Sequence, residues 1–569
     1  MDASFHDQMA AGYALKEPGL VLGGPMLGEE VDPAAHVQVA LSMLNRHGLI
    51  AGATGTGKTK TLQLMAGQLS SAGVPVFIAD VKGDLTGLSV AGDASSPKVQ
   101  ERAASIGVPF VPAAHPVELV SLSGQLGAQV RATVHSFGPL LLGKVLDLNE
   151  TQTSILSLIF KYCDDQSLPL LDLADLRTTL LFLSSEEGRA ALAEYGGIAP
   201  ASLGVILRSI VTLEQEGADV FFGEPEFDVD DLLRVAPDGR GIVTVLELSD
   251  VMDKPRLFST FMLWMLAQLY HALPEVGDLP KPRLCFFFDE AHLLFEDASE
   301  ALLDQVEQTA RLIRSKGVGI YFVTQAPTDV PSAVLAQLGN RVQHALRAFT
   351  PEDADALRKT ARTFPTSTFY DVEQAITSLG TGEALVTVLS PRGVPTPLAA
   401  TRLAPPDSLM AAVDPTALQA LVTSGSLHAK YATPIDRQSA HEIITARIEA
   451  ARAAATAGAG GAAGTGGAGV AGTAALGGQP ARVPSAAEQR REVARQAREL
   501  ERQRREAERA ARAAEREARA EERAAQAAER ARQRQVETVM RSGTRILTSR
   551  AGQQVIRGVF GTLFGTRGR

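Results

Sequence analysis

The sequence predicts an α/β protein built on a mainly parallel sheet, and three features carry that expectation. A glycine-rich turn, Gly52 to Thr59, lies between a short apolar strand at Gly48 to Gly52 and a helical stretch from about Lys58 to Ala72. Further apolar runs occur at Pro75 to Asp80, Gly241 to Leu248, Leu284 to Phe288 and Val318 to Thr324, with helical patterns between them. Near-continuous apolar strands alternating with helices mark a sheet covered on both faces. With 569 residues, 45% hydrophobic and 21% charged, the chain has material for two or three folded units and their linkers.

Taken in order, residues 1–47 form a lead-in and 48–405 the main domain. About 230 residues separate the glycine-rich turn from the Leu284 run, more than short βα connections need. Helical periodicity (Ile155, Leu158, Ile159, then Leu176, Leu180, Leu181, Leu183) places a helical insert at about 149–231. Residues 406–451 read as a helical extension, and 452–484, nearly all Ala, Gly and Thr, as a flexible linker. Residues 485–540 have the composition of a solvent-exposed charged helix, coiled-coil-like in its Ala, Arg, Glu and Gln content but without the large a and d residues of a tight coiled coil.

Residues 541–569 form a basic amphipathic tail, with Val555, Ile556, Val559, Phe560, Leu563 and Phe564 at helical spacing among arginines. Such a tail suits an anionic membrane surface, a partner's groove or nucleic acid phosphates, or it packs back onto the main domain.

Charge is uneven. Residues 481–569 hold 22 Arg and 12 Glu without Lys or Asp, giving +10, so the net charge of −10 leaves −20 on the remainder. An acidic body disfavours a broad nucleic-acid surface, although a ring can line a narrow pore with a few basic groups. Cys163 and Cys285 lie far apart in apolar runs and are expected as buried free thiols. The N-terminus lacks a signal-peptide pattern and no apolar run reaches membrane-span length, so a cytoplasmic protein is expected.

The turn itself, Gly52-Ala53-Thr54-Gly55-Thr56-Gly57-Lys58-Thr59, fits G-x-x-x-x-G-K-[ST] completely. Its glycines let backbone N–H groups turn toward phosphate oxygens, and the helix that follows adds its positive dipole end. Lys58 is expected on the β- and γ-phosphates and the Thr59 hydroxyl on Mg²⁺, with Thr61 a further nucleotide contact. The Leu284–Phe288 run delivers Asp289 and Glu290 at its C-terminal end, where open α/β sheets bind ligands. Asp289 is the expected Mg²⁺ ligand, and Glu290 the group that polarises water. The alternative is that both cap a helix starting near Ala298.

An acid directly after the metal-binding Asp, and a strand at Pro75–Asp80 expected between the loop strand and the acid strand, favour the RecA-like P-loop branch over kinases and GTPases. No N-K-x-D guanine reader is present, so ATP is the expected nucleotide. Gln325, at the tip of the Val318–Thr324 strand, is a candidate γ-phosphate sensor or a plain strand-ending residue. Arg311 and Arg314 share a helical face; one is a candidate arginine finger for a neighbouring subunit, with Arg314 nearer the helix end, or both are simply solvated.

G-A-T-G-T-G-K-T with D-E-A-H, V-G-I-Y-F-V-T-Q-A-P-T-D-V-P and N-R-V-Q-H-A-L-R-A-F-T-P-E-D resembles the HerA/FtsK superfamily, in particular the HerA-like helicase C-terminal family and its YjgR-type branch. That branch also shows D-V-K-G-D-L-T-G-L, here Asp80 to Leu88. The resemblance implies ATP hydrolysis at the subunit interfaces of a ring, commonly a hexamer, often coupled to DNA movement. It assigns Lys58 and Thr59 to the phosphate-loop pair, Asp289 and Glu290 to the metal and catalytic acids, Gln325 to the sensor and Arg314 to the finger. Asp80 and Asp84 are weaker candidates beside a simple Gly83-Asp84 turn. With barely 45 residues before the loop, the N-terminal β-barrel of HerA proper is expected to be absent or vestigial. D-E-A-H helicases are excluded because no S-A-T or Q-x-x-G-R-x-G-R element follows, leaving His292 an ordinary helix-entry residue.

Overall fold

The computed structural model describes residues 2–460, apart from 196, 197, 199, 253 and 296–299. Thirteen strands occur among them: β1 (Gly19–Leu27), β2 (Glu30–Val31), β3 (Val37–Ala40), β4 (Gly48–Ala51), β5 (Val76–Asp80), β6 (Val117–Ser121), β7 (Ala128–Gln129), β8 (Val243–Glu247), β9 (Leu284–Phe288), β10 (Val318–Thr324), β11 (Asn340–His344), β12 (Glu383–Thr387) and β13 (Ala399–Leu403). They form one sheet in the order β2-β1-β13-β12-β11-β4-β10-β9-β5-β8-β6-β7, with β3 also paired to β1. From β11 to β7 every pairing is parallel, and from β11 to β2 every pairing is antiparallel. This is a RecA-like α/β sheet with an antiparallel wing.

Alternation along the central strands builds two cores. Phe77, Ala79, Leu284, Phe286, Phe288, Ile320 and Phe322 face one side, where Phe261, Trp264 and Met265 of the Pro255–Ala272 helix cover them. Val76, Ile78, Cys285, Phe287, Tyr321 and Val323 face the other, under Leu62, Met65, Ala66 and Leu69 of the Lys58–Ser71 helix. Phe77 stacks on Phe286 and Phe288 on Phe322, with ring centroids 4.3 and 5.3 Å apart. Each such buried aromatic contributes on the order of 2 kcal/mol by burial alone, so the acid strand is rigidly seated. Cys163 and Cys285 are free and buried.

The strand beside β4 on the acid side is β10, not β5: the order is β4-β10-β9-β5. A strand does separate loop from acids, but the Pro75–Asp80 run lies beyond the acid strand. Residues 2–47, the expected lead-in, join the same sheet and core as the main domain. Strand β1 pairs with β13, and Phe5, Met9 and Tyr13 bury in the same core as Ile50 and Leu62.

Helices between β7 and β8 begin at Val134, earlier than the expected 149. Gly138 (φ 66°) and Pro139 interrupt the Val134–Val145 helix and hide its periodicity. Glu150–Asp165, Leu173–Ser184 and Pro200–Gln215 follow, the first two with capping boxes at Asn149/Gln152 and Asp172/Asp175. Ile155, Ile159, Leu176, Leu180 and Leu183 are buried, while Leu181 is exposed.

In the extension, Glu118 of β6 accepts from Ser426 N and Leu427 N at 3.1 and 3.2 Å and so caps the Ser426–Tyr431 helix. The last helix, Ala440–Gly460, runs past the expected boundary at 452, where the Ala-rich residues favour helix. The rest of the linker, the charged helix at 485–540 and the tail at 541–569 lie outside the described residues. Among the described residues, no helix is long and apolar enough to cross a membrane.

Candidate functional site: a phosphate loop facing two carboxylates

Strand β4 lies between β10 and β11, and the loop leaving it is fastened to both. Gly52 N donates to Thr324 O at 3.2 Å and Ala53 N to Ala345 O at 2.8 Å. On the exit side Gly382 N donates to Thr56 O at 2.9 Å. Gly55 and Gly57 have φ of 77° and 115°, a region that favours glycine, and a Cβ on Gly52 would lie 2.4 Å from His344 Cβ. Thr54 and Gly55 form the exposed apex. Gly57 precedes the Lys58–Ser71 helix without a side-chain cap, so the N–H groups of the first turn are directed at the loop's concave side.

Lys58 is buried, and its Nζ donates to Gly52 O at 2.6 Å and Ala53 O at 3.4 Å. Burial holds its pKa below the ordinary lysine value, against the opposing charges of Glu290 and Asp289. Loop and acids both leave the C-terminal ends of parallel strands, β4 and β9, which flank β10, so they open onto the same end of the sheet. The Thr56 hydroxyl donates to Ala53 O at 2.7 Å, and Thr59 is half-buried in the first helical turn. The Thr61 hydroxyl, expected on the nucleotide, instead donates to Gly57 O at 3.2 Å and meets His344 Nε2 at 2.8 Å, bracing the loop helix against β11.

Across the cleft, Asp289 N donates to Ala79 O of β5 at 3.2 Å and Ala291 N to Val323 O of β10 at 2.8 Å, so the backbone of the acid pair is clamped from both neighbours. Glu290 between them adopts φ 47°, an uncommon left-handed conformation for a residue with a side chain. Asp289 is 1% exposed, and neither carboxylate oxygen has a hydrogen-bond partner among the described residues. Burial, aided by the charges of Asp80 and Glu290 and opposed by Lys82, pushes its pKa up to about 7. Burial also pushes the Glu290 carboxyl upward, but the ion pair with Lys82 outweighs it and holds the group below the usual value.

Lys82 is the functional candidate that sequence reasoning passed over. Its ammonium donates to Glu290 Oε1, and the turn that aims it is shaped by Asp80, whose carboxylate accepts from Lys82 N, Gly83 N and Leu85 N at 2.9–3.0 Å. Asp80 therefore organises the turn, with Gly83 at φ 71°. The available signal was the Asp80–Leu88 motif that contains both. Asp84 Oδ1 is buried without a partner among the described residues. His292 opens the short His292–Phe295 helix, with its Nδ1 3.3 Å from Glu290 Oε2. The alternative helix start at Ala298 lies outside the described residues.

Gln325 is exposed at the tip of β10, between the loop strand and the acid strand. Arg314 is exposed at the other end of that strand, in the Ile313–Lys316 turn, so a seven-residue strand of roughly 23 Å separates it from this chain's own loop. Arg311 pairs with Glu307.

Residues 26–477 match the family model described as Helicase HerA-like C-terminal, which is most of the chain. The chain belongs to the HerA-like helicase C-terminal family. It is thereby a P-loop ATPase-type protein of the HerA/FtsK class. It is 21% identical over 373 residues to the DNA double-strand break repair helicase HerA of Sulfolobus acidocaldarius, covering 64% of this chain and 66% of that relative, just under two thirds of its length. Among solved structures it is similar to the plasmid coupling protein TrwB in complex with ADP and Mg²⁺ (15% identity, 68% of this chain and 94% of that one, TM-score 0.44). It is also similar to VirB4 of Thermoanaerobacter pseudethanolicus (14% identity, 69% and 98%, TM-score 0.41).

Proposed function

We propose that this protein hydrolyses ATP and works as a ring-forming motor, a hexamer in the leading reading, that acts on DNA. The observation that carries the hydrolytic part is the clamped Asp289-Glu290 pair facing the Lys58 loop from a separate strand, with both Asp289 oxygens left without a hydrogen-bond partner among the described residues. Buried carboxylate oxygens are normally paired, and a Mg²⁺ shell fits these. Thr59 and Asp289 are the residues that would hold Mg²⁺, which when bound neutralises charge on the phosphates. Lys58 carries positive charge into the loop's concave side, Glu290 is aimed by its clamped backbone to orient and deprotonate water, and Gln325 sits between them at the mouth.

Arg314 supports the ring. From the far end of β10 it serves a phosphate site only in a neighbouring copy. DNA as the track rests on family membership, and the acidic body keeps a protein-switch reading in second place, with the basic tail then binding a protein partner or a membrane surface.

Steady-state ATP turnover with and without double- and single-stranded DNA tests this, with Glu290→Gln as the inactive control. Several-fold stimulation by DNA supports the motor. Glu290-dependent turnover that ignores DNA retains the ATPase and replaces the DNA motor with the protein switch.

A further inference from the structure

Glu290 can take a proton from water only through a carboxylate oxygen that water can reach. Its Oε1 accepts from the Lys82 ammonium, which occupies the position a water would need. Its Oε2 is buried without a hydrogen-bond partner among the described residues, with His292 Nδ1 3.3 Å away. Both oxygens are therefore covered, one by a side chain that has no part in the reaction as derived above. We propose that Lys82 is a restraint on Glu290, a positioning residue that holds the carboxylate away from water, so that the chain hydrolyses ATP more slowly than its acid pair allows. The proposal rests on the reading of Glu290 as the group that activates water, and it adds a means of regulating that same site.

Two observations separate a releasable restraint from a permanent brace. The partners are unequally held, the lysine side chain being 42% exposed and the glutamate side chain 9%, so the lysine is the one with room to leave. The backbone on both sides is fixed without the ion pair. Asp80 ties down Lys82 N, Gly83 N and Leu85 N, while Ala79 O and Val323 O hold Asp289 N and Ala291 N on either side of Glu290. A brace for Glu290 is thus already present in β5 and β10. Breaking the Lys82–Glu290 pair moves an ammonium on a flexible four-carbon stem and leaves both strands where they are. What the pair adds is cover over the reacting carboxylate, set by a residue 208 positions away in sequence.

Steady-state ATP turnover of the full chain without DNA, on the upper plateau of its pH–rate profile, tests the proposal. Lys82→Met and Lys82→Gln both remove the charge and keep most of the stem. Each is expected to raise kcat by about two- to fivefold, the range that loss of a half-exposed ion pair spans, with KM for ATP close to wild type. Lys82→Arg keeps a cation at similar reach and is expected to lie nearer the wild-type kcat than either. Adding Glu290→Gln to Lys82→Met is expected to abolish the gain, because the restraint acts through that carboxylate. A kcat at or below wild type in the folded neutral variants overturns the proposal. So does an equal rise in Lys82→Arg, which would mark loosened packing rather than a lost charge. Either result leaves the acid pair's assignment standing as long as Glu290→Gln alone is inactive. Turnover that survives Glu290→Gln overturns that assignment, and the restraint with it.

Discussion

In the phosphate loop, Thr56, Lys58 and Thr61 already have protein partners, so the loop holds its shape through its own bonds. Across the cleft the opposite holds. The backbone around Asp289 and Glu290 is clamped by β5 and β10, but both Asp289 oxygens, Glu290 Oε2 and Asp84 Oδ1 are buried without a hydrogen-bond partner among the described residues. One half is satisfied and waits to exchange carbonyl partners for phosphate; the other stores an electrostatic cost that a cation would relieve. Pre-organisation is thus achieved twice, once by side-chain bonding and once by backbone clamping around the unpartnered Asp289 oxygens.

The largest expected effect falls on the satisfied half. Lys58→Ala should abolish nucleotide binding and turnover while the fold persists, because the lysine's two bonds go only to loop carbonyls. Unchanged far-UV circular dichroism with nucleotide affinity down more than a hundredfold is the expected pair of readings. Gly52→Ala should do structural harm instead, since its Cβ would stand 2.4 Å from His344 Cβ; urea unfolding should show a loss of about 2 kcal/mol.

Asp289→Asn should split activity from stability. Turnover falls by about 10² or more, yet the variant is the more stable protein in the absence of nucleotide. An acid whose folded pKa is raised costs nothing below its unfolded value of 3.8, then costs progressively more until pH passes about 7, reaching on the order of 4 kcal/mol. The melting-temperature advantage of Asp289→Asn should therefore widen from pH 5 to pH 8. A constant gap would show that the wild-type charge is relieved by something else.

His47 and His344 make the next contribution, with the opposite sign. Both are buried and held near pKa 4, chiefly by burial. His47 shows why: its Nδ1 accepts from Ile320 N at 3.0 Å and its Nε2 meets Ala310 O at 2.6 Å, so both ring positions are spoken for in the neutral form. A base with a depressed folded pKa gives stability that is present above pH 6.5 and lost as pH falls toward 4, about 3 kcal/mol for each ring. Denaturant midpoints measured in that window should drop steeply, and His47→Gln should flatten the drop. The smallest effect expected is from Lys82→Met: Glu290 loses the cation that keeps its pKa low, so the acid limb of the pH–rate profile should move to higher pH. An unmoved limb would detach Lys82 from the acid.

The loop, the acid pair and the central strands were legible because buried parallel strands write themselves as apolar runs, and a loop that cradles phosphate needs its glycines at fixed spacing. Spatial order was not, since nothing in Val318–Thr324 says that it inserts between β4 and β9. The antiparallel wing escaped notice for a related reason. Strand β1 carries Gly19, Gly23, Gly24 and Pro25, a poor strand signature, yet a Cβ at Gly23 would come within 2.0 Å of Arg402 O, so the glycine is what permits the β1–β13 approach. Lys82 and Glu290 lie 208 residues apart and meet only through the β9–β5 pairing. Thr61 was legible as part of the loop helix but not as the partner of His344, because that contact depends on where β11 falls.

Glu290→Gln tests the central claim most directly, with ATP affinity by calorimetry and steady-state turnover measured on one preparation. The account predicts a Kd within about threefold of wild type, since the loop and Asp289 are untouched, and turnover reduced by about 10² to 10⁴. Turnover that survives the substitution would contradict the assignment of Glu290 as the group that activates water, and with it the reading of this cleft as a hydrolytic site.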